Sequence, residues 1–452
     1  IAARLDDRFR LLTTSNRSIP ARQQTLRTTL DWSYKLLTAD EQSLLRRLAI
    51  FAGGFTLDAV VAVADGAPAP SSGDPDPAQH LTHPADLLDQ LGHLVDQSLV
   101  IVDRQPDGAV RYRLLETIRQ YALERLVESG EQPLRQAQHA AFYTALAETA
   151  GLALVGGQDA GWFRRLTIEL DNLRAALSWS LLGPGEATWG LRIAALGRYW
   201  PGLLREWHTW VELALARTAT LPPTAARARA LCHAGDLANN VGDAPMARRR
   251  LEEGIALWRT LGDLAGLAHA LTLLPEVLRD AGAYDQIPAL VEESLALQEQ
   301  LGDQRGKAWS LNELAATALA QQAFPRARAY SQQSFALYNA IGNQYGCGLS
   351  RHTLGLIAEA QGDYGAARRC FEEALAFFRT LDDQLMMAMT LNSLGITLRY
   401  QGALAQAVTC LRESLTVATA IGFTLLLPYC LASLAGIAAD QSDHTWAVQL
   451  CS

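Results

Sequence analysis

Lysine is almost missing from this chain. Of its 39 basic residues, 37 are arginine and two are lysine, Lys35 and Lys307. A phosphate-binding loop of the form G-x-x-x-x-G-K-[ST] needs a lysine that reaches the β/γ-phosphates and a hydroxyl that holds Mg²⁺. Lys35 lies in Ser33-Tyr34-Lys35-Leu36, and Lys307 follows Gly302-Asp303-Gln304-Arg305-Gly306 one residue too early, with Ala308 after it. No P-loop is present. Long apolar runs are missing as well, because Arg, Asp or Glu interrupts each rich stretch before the roughly 18 residues that a membrane helix needs. The six cysteines, Cys232, Cys347, Cys370, Cys410, Cys430 and Cys451, are separated by 19 or more residues, with no C-x-x-C and no Cys/His cluster. They read as free thiols of a reducing, cytoplasmic setting. The chain opens Ile1-Ala2-Ala3-Arg4-Leu5 without Met or a signal peptide, so it is expected to begin inside a longer protein.

Catalytic patterns are equally scarce. His80 and His83 stand near Asp74 and Asp76, but in a Pro/Ser/Asp-rich stretch where a lone pair would hold a metal weakly. No serine lies in a G-x-S-x-G elbow. No catalytic, cofactor-binding or metal-ligating residue is expected, and the segment is not expected to be an enzyme.

What the chain has in quantity is repetition. Leu261-Gly262-Asp263, Leu301-Gly302-Asp303, Ile341-Gly342-Asn343, Leu381-Asp382-Asp383 and Ile421-Gly422-Phe423 recur at a period of 40. Leu274, Leu314, Leu354, Leu394 and Leu434 keep the same register, as do Ala247, Ala327, Ala367 and Ala407. Each unit holds two apolar stretches at helical spacing around a turn such as Gln361-Gly362-Asp363-Tyr364, which predicts a helix-turn-helix solenoid. The pattern Leu354-Gly355-x-x-Ala358, Gly362-Asp363-Tyr364, Ala367, Phe371, Ala374 resembles the tetratricopeptide repeat, lengthened to 40 residues. These repeats are expected over 225–452, truncated in the last unit, which ends within its second helix at Ser452 without a polar cap. Residues 131–224 are also helical, without the register, and read as degenerate repeats packed by six of the ten tryptophans.

Residues 22–130 differ in kind. Helices are predicted at about 25–37, from the capping box Thr38-Ala39-Asp40-Glu41 to about Phe51, over Leu57–Asp65, and at about 85–97. A mobile insert occupies 66–84. Strands at 99–103 and 110–114, joined by Gln105-Pro106-Asp107-Gly108, lead to a helix from Glu116 to Glu128. Helices followed by such a hairpin make a winged helix.

Arg22-Gln23-Gln24-Thr25-Leu26-Arg27-x-x-Leu30-Asp31-Trp32-Ser33-Tyr34, Phe51-Ala52-Gly53-Gly54-Phe55 and Tyr112-Arg113-Leu114-Leu115-Glu116-Thr117-Ile118-Arg119-Gln120-Tyr121-Ala122 together resemble the winged-helix region of bacterial signal-transduction NTPases (NB-ARC/STAND type). Many of these are LuxR-family or antibiotic-regulator-like transcriptional regulators. Glu169-Leu170-Asp171-Asn172-Leu173-Arg174-Ala175-Ala176-Leu177-x-Trp179 resembles the stretch that follows it in that family. The resemblance implies an upstream NTPase domain binding ATP/ADP and Mg²⁺, a helical lid ending within residues 1–21, and a tetratricopeptide sensor. Eukaryotic relatives place a Met-His-Asp motif where this chain has Leu114, Leu115 and Glu116. Leucine offers phosphate no donor, so no nucleotide-binding residue is carried over.

A DNA-reading helix needs Arg or Lys. The candidate at 85–97 has Asp86, Asp89 and Asp96 and neither of them, and residues 22–130 hold 10 Arg+Lys against 15 Asp+Glu. Direct DNA binding by this segment is not expected, nor is membrane binding. On the solenoid, register puts Thr272, Glu276, Arg279, Trp309, Asn312, His352, Glu359, Asn392, Arg399 and Tyr400 on the face that lines the groove. They form either a ligand or partner groove or an ordinary solvated helix face.

The expected fold is therefore all-α, a tetratricopeptide-like solenoid preceded by a small winged helix with a β-hairpin. The expected role is the sensing and regulatory half of a signalling NTPase and transcriptional regulator. A protein or small-molecule inducer would bind the solenoid, and the winged helix would relay that binding to the upstream NTPase domain. The alternative is a tetratricopeptide scaffold that assembles proteins without a nucleotide switch.

Overall fold

Two compact units, Ile1–Ile193 and Ala194–Ser452, make up the chain, and the division falls inside the segment 131–224. The computed structural model describes residues 21–65, 84–105, 108–155, 159–196 and 203–441. The expectations for residues 1–20, the insert at 66–83 with His80 and His83, and the end of the last repeat lie outside them.

In the first unit, α1 (Ala21–Leu36), α2 (Ala39–Leu48), α3 (Leu57–Asp65) and α4 (Pro84–Asp96) precede β1 (Ile101–Arg104) and β2 (Val110–Arg113). Thr38 Oγ1 accepts from the Glu41 N–H at 3.3 Å and the Glu41 carboxylate accepts from the Thr38 N–H at 2.8 Å, so the capping box starts α2. The α2 helix ends three residues before Phe51, because the N–H groups of Ala49, Ile50 and Phe51 turn to carbonyls three residues back. Leu44, Leu45 and Leu48 of α2 face Val60 and Val63 of α3 and Leu87, Leu91 and Leu94 of α4, all buried at helical spacing. The strands pair antiparallel with Val102 opposite Tyr112. On its other edge Tyr112 exchanges both backbone hydrogen bonds with Phe55, at 2.8 and 2.9 Å.

Behind this hairpin come α5 (Glu116–Glu128), α6 (Gln132–Val155), α7 (Asp159–Ile168), α8 (Leu170–Leu181) and α9 (Ala187–Ala194). Their attachment is polar and buried. Glu169 accepts from Arg111 of β2, from Tyr143 Oη at 3.0 Å and from Asn172 Nδ2 at 2.9 Å. Arg111 and Asn172 both donate to the Gly54 carbonyl, at 2.7 and 2.9 Å, and Asn172 Oδ1 accepts from the Ala52 N–H at 3.0 Å. The stretch from Glu169 to Trp179 thus reads the hairpin and the Gly53-Gly54 turn together.

The second unit begins with α10 (Leu204–Arg217) and continues as helix pairs. These are α11 (Ala225–Asn240) with α12 (Ala244–Leu261), then α13 (Leu264–Leu271) and α14 (Leu274–Asp280) with α15 (Ile287–Leu301). The pairs α16 (Gln304–Ala320) with α17 (Phe324–Ala340), α18 (Gln344–Ala360) with α19 (Tyr364–Leu381), and α20 (Gln384–Tyr400) with α21 (Leu404–Ala420) follow, and α22 (Leu427–Asp440) stands last. Each helix packs on the next, and first helices of successive repeats also touch. The fold is an all-α tetratricopeptide-like solenoid, with one two-stranded sheet among the described residues.

The Leu-Gly-Asp signature ends one helix and starts another. Gly302 takes φ 68°, a left-handed C-cap that spares the chain a Cβ clash, and Asp303 then accepts from the Gly306 N–H at 2.9 Å. Asp382 occupies the glycine position of its repeat at φ 54°, a conformation that a short polar side chain tolerates. The second repeat departs from the pattern. Pro275 stands where the others have Gly or Ala, and without an N–H it leaves its first helix broken into α13 and α14 at Thr272-Leu273.

Serines stitch the layers. Ser294 and Ser334 donate to the carbonyls of Ala268 and Ala308, at 2.9 and 2.8 Å, and meet Ser310 and Ser350 of the following repeat at 3.3 and 3.0 Å. Ser414 does the same with Ala388 and Cys430, at 2.7 and 3.3 Å. The register position between them is Ala374, and the hydroxyl of its counterpart Thr390 is buried with no partner. Thr390→Val, which removes that hydroxyl at nearly constant shape, is expected to stabilise the chain by about 1 kcal/mol in urea unfolding. A loss of stability would show that the hydroxyl is satisfied after all.

Among the described residues no helix is long and apolar enough to cross a membrane, and no group of three His, Cys, Asp or Glu could hold a metal ion. Cys232, Cys347, Cys370, Cys410 and Cys430 are free.

Candidate functional site: the inner face of the solenoid

The first helix of each repeat places the same register positions on one face. Thr272, at the break between α13 and α14, is followed by Asn312 on α16, His352 on α18 and Asn392 on α20, between 5% and 8% exposed. These four make the floor. Glu276 and Arg279 on α14, Trp309 on α16, Glu359 on α18, and Arg399 and Tyr400 on α20 stand around it.

Most of these groups are joined to the neighbouring repeat. Asn312 Oδ1 accepts from Thr353 Oγ1 at 3.1 Å, and His352 Nε2 lies 3.4 Å from Ser393 Oγ, the same step one repeat on. Arg279 pairs with Glu313 at 3.1 Å and Arg399 with Asp440 at 2.6 Å. Tyr400 stacks on Tyr364 with ring centroids 5.0 Å apart. These links hold successive first helices in register. Glu313, Thr353 and Ser393 were not among the sequence candidates. The signal was available, since each directly follows a floor position in the 40-residue register.

Other groups keep unused capacity. Asn392 Oδ1 and Trp309 Nε1 are buried without a hydrogen-bond partner. Glu276 keeps solvent access while protein encloses it; the loss of bulk water lifts its carboxyl to about 7, and the carboxylates of Glu313 and Asp236 add to the rise. Burial likewise raises Glu359 to about 7, against one long hydrogen bond from Thr397 at 3.4 Å. Burial lowers His352 to about 4, so the imidazole is neutral at pH 7. The face is therefore a polar, nearly uncharged floor bordered by two carboxyls that close no ion pair.

The tetratricopeptide-repeat family model matches residues 345–420, α18 to α21. Over 276 residues the chain is 43% identical to proteins of Mycobacterium tuberculosis and Mycobacterium bovis named as HTH-type transcriptional regulators. The match covers 58% of this chain and 29% of those relatives, so the chain matches less than a third of their length. Among solved structures, a Rap protein complexed with competence and sporulation factor aligns with a TM-score of 0.54 at 11% identity, over 74% of this chain and 89% of that one. A STAND protein with a tetratricopeptide repeat sensor from Pyrococcus horikoshii aligns at 0.44 and 12% identity, over 96% of this chain and 65% of that one. The chain thus carries tetratricopeptide repeats and is homologous to proteins named as HTH-type transcriptional regulators.

Proposed function

We propose that this chain is the sensing and regulatory segment of a cytoplasmic multidomain signalling NTPase that controls transcription. The inner face of the solenoid binds an inducer or a partner protein. The observation that carries this reading is a continuous polar floor with unsatisfied groups, in a chain homologous to transcriptional regulators. The neighbour of like fold was solved in complex with competence and sporulation factor, which fits a binding role for the solenoid.

The first unit is the relay in this reading, a winged helix that does not touch DNA. Its helix order, the β1–β2 hairpin and the Phe55–Tyr112 bridge support the winged-helix assignment. The exposed face of α4 carries Asp86, Asp89 and Asp96, and His93 on it is engaged by Glu41 at 3.1 Å. That surface repels phosphate. Leu115, 45% exposed at the start of α5, offers no donor to a nucleotide. In this reading ATP/ADP and Mg²⁺ belong to the NTPase domain that the family resemblance implies, and this segment takes no catalytic part. A ligand shifts the relay only through different affinity for its two states.

The test is a transcription reporter driven by the intact gene product, comparing wild type with a variant lacking residues 225–441. Loss of inducible response with retained expression is the expected result. An unchanged response would remove the solenoid from sensing and leave a scaffold.

A further inference from the structure

The 40-residue register is broken once at a core position. Leu231, Leu271, Leu311 and Leu391 hold equivalent places on the first helices of their repeats, each at most 8% exposed, and Leu431 continues the series. Between Leu311 and Leu391 the residue is Arg351, on α18. Stacking of the repeats does not require a guanidinium where leucine serves every neighbour, and a charge set there loses solvation that only good pairing restores. The surroundings of Arg351 change with it. Phe335 on α17 and Phe377 on α19 stand where the other second helices carry Ile, Leu or Val, and Gly348 stands where Ala228, Ala268, Ala308 and Ala388 stand in theirs. A Cβ at Gly348 would lie 3.2 Å from Phe377 Cβ and 2.9 Å from Phe378 Cε1, so the missing methyl makes room for those side chains.

These residues border a cavity of about 400 Å³ that shares no residue with the ten positions of the inner face. Phe335, Arg351 and Phe377 are partly buried at its base, and Gln344 and Thr380 are exposed at its rim. Its volume suits a small organic molecule. The Arg351 guanidinium lies over the Phe335 ring, 4.3 Å from the centroid. Its Nε is 3.0 Å from Glu373 Oε2, yet at an angle that makes no hydrogen bond, so the buried Nε–H has no acceptor. The Glu373 side chain is half exposed and free to turn to water.

The walls and the open donor define the ligand. Two phenyl rings and Ala376 accommodate a flat apolar body, ring against ring. A guanidinium takes a carboxylate in a bidentate fork, and the positive end of α18, which starts at Gln344, adds to the attraction. A single arginine already facing Glu373 balances one negative charge, which favours a carboxylate over a doubly charged phosphate. We propose that this cavity binds an aromatic carboxylate, with its ring against Phe335 and Phe377 and its carboxylate on Arg351 in place of Glu373. The site is independent of the inner-face groove described above.

Isothermal titration calorimetry of the full chain with 2-naphthoate tests the assignment. Saturable binding is expected, with affinity about tenfold weaker or worse for 2-naphthamide, which keeps the rings and loses the charge. Arg351→Leu restores the residue of the other repeats; its melting temperature should hold or rise while affinity for 2-naphthoate falls by about tenfold or more. Glu373→Gln removes the competing carboxylate and should tighten binding by roughly threefold. No binding of 2-naphthoate through the millimolar range, equal affinity for the amide, an unchanged affinity in Arg351→Leu or binding not tightened in Glu373→Gln would each overturn the site. A melting temperature lowered by Arg351→Leu would assign the arginine to the fold and overturn it as well.

Discussion

Glu169→Ala is expected to destabilise the first unit by about 3–5 kcal/mol, read from its urea unfolding transition. The carboxylate is 3% exposed and faces Arg111, which is 7% exposed. Truncation leaves that guanidinium buried with the Gly54 carbonyl as its remaining acceptor, and it also strips Tyr143 Oη and Asn172 Nδ2 of an acceptor. Glu169→Gln keeps the shape and one acceptor oxygen, so a smaller loss is expected. Arg111→Met combined with Glu169→Gln should cost less than the sum of the two single changes, because the uncompensated charge is then gone. Additive losses would show that the pair does not hold β2 to α8. The consequence for function is mechanical. While this network is intact, the hairpin and the helices behind it move together.

Phe371→Ala is expected to cost about 3–5 kcal/mol in the second unit. The ring is fully buried between α18 and α19, within a cluster that includes Ala367, Leu375, Leu391 and Leu394, and its centroid lies 5.4 Å from that of His352. The space it fills exists because residue 355 is glycine. A Cβ at Gly355 would lie 2.5 Å from Phe371 Cε1, against a ring that is fully buried. Gly355→Ala should therefore cost about 1–3 kcal/mol by overpacking. The two changes together should cost less than their sum by roughly 0.5–3 kcal/mol, since the alanine methyl then enters the cavity left by the ring. Strict additivity in urea unfolding would rule out this contact. His352 lies on the groove floor, so looser packing beneath it should also weaken binding in the proposed groove.

Both positions were visible in the sequence for different reasons. Gly355 and Phe371 fall in a motif of fixed spacing, and local spacing alone places a glycine of one helix opposite a large residue of the next. The Glu169–Trp179 stretch was recognisable as a pattern, but nothing in it names Arg111, 58 residues away. The same contrast holds on the groove. The 40-residue period assigns ten residues to one face. Which of them are already bonded across repeats, as Asn312 is to Thr353, and which remain open, as Asn392 does, depends on the residue that the neighbouring repeat brings alongside.

By itself the sequence determined the repeat length, the helix ends at each Gly-Asp pair, the capping box at Thr38 and the absence of a P-loop. These are properties of short stretches, set by backbone φ, caps and helical period. The tertiary structure decided the rest. It broke the second repeat's first helix at Thr272-Leu273, just ahead of Pro275, left Thr390 without a serine partner, buried Arg111 on Glu169 and sorted the groove residues into rungs and open groups. Each of these depends on which side chains meet across a gap in sequence, and a 40-residue register specifies which positions face each other without specifying whether their hydrogen-bonding groups match.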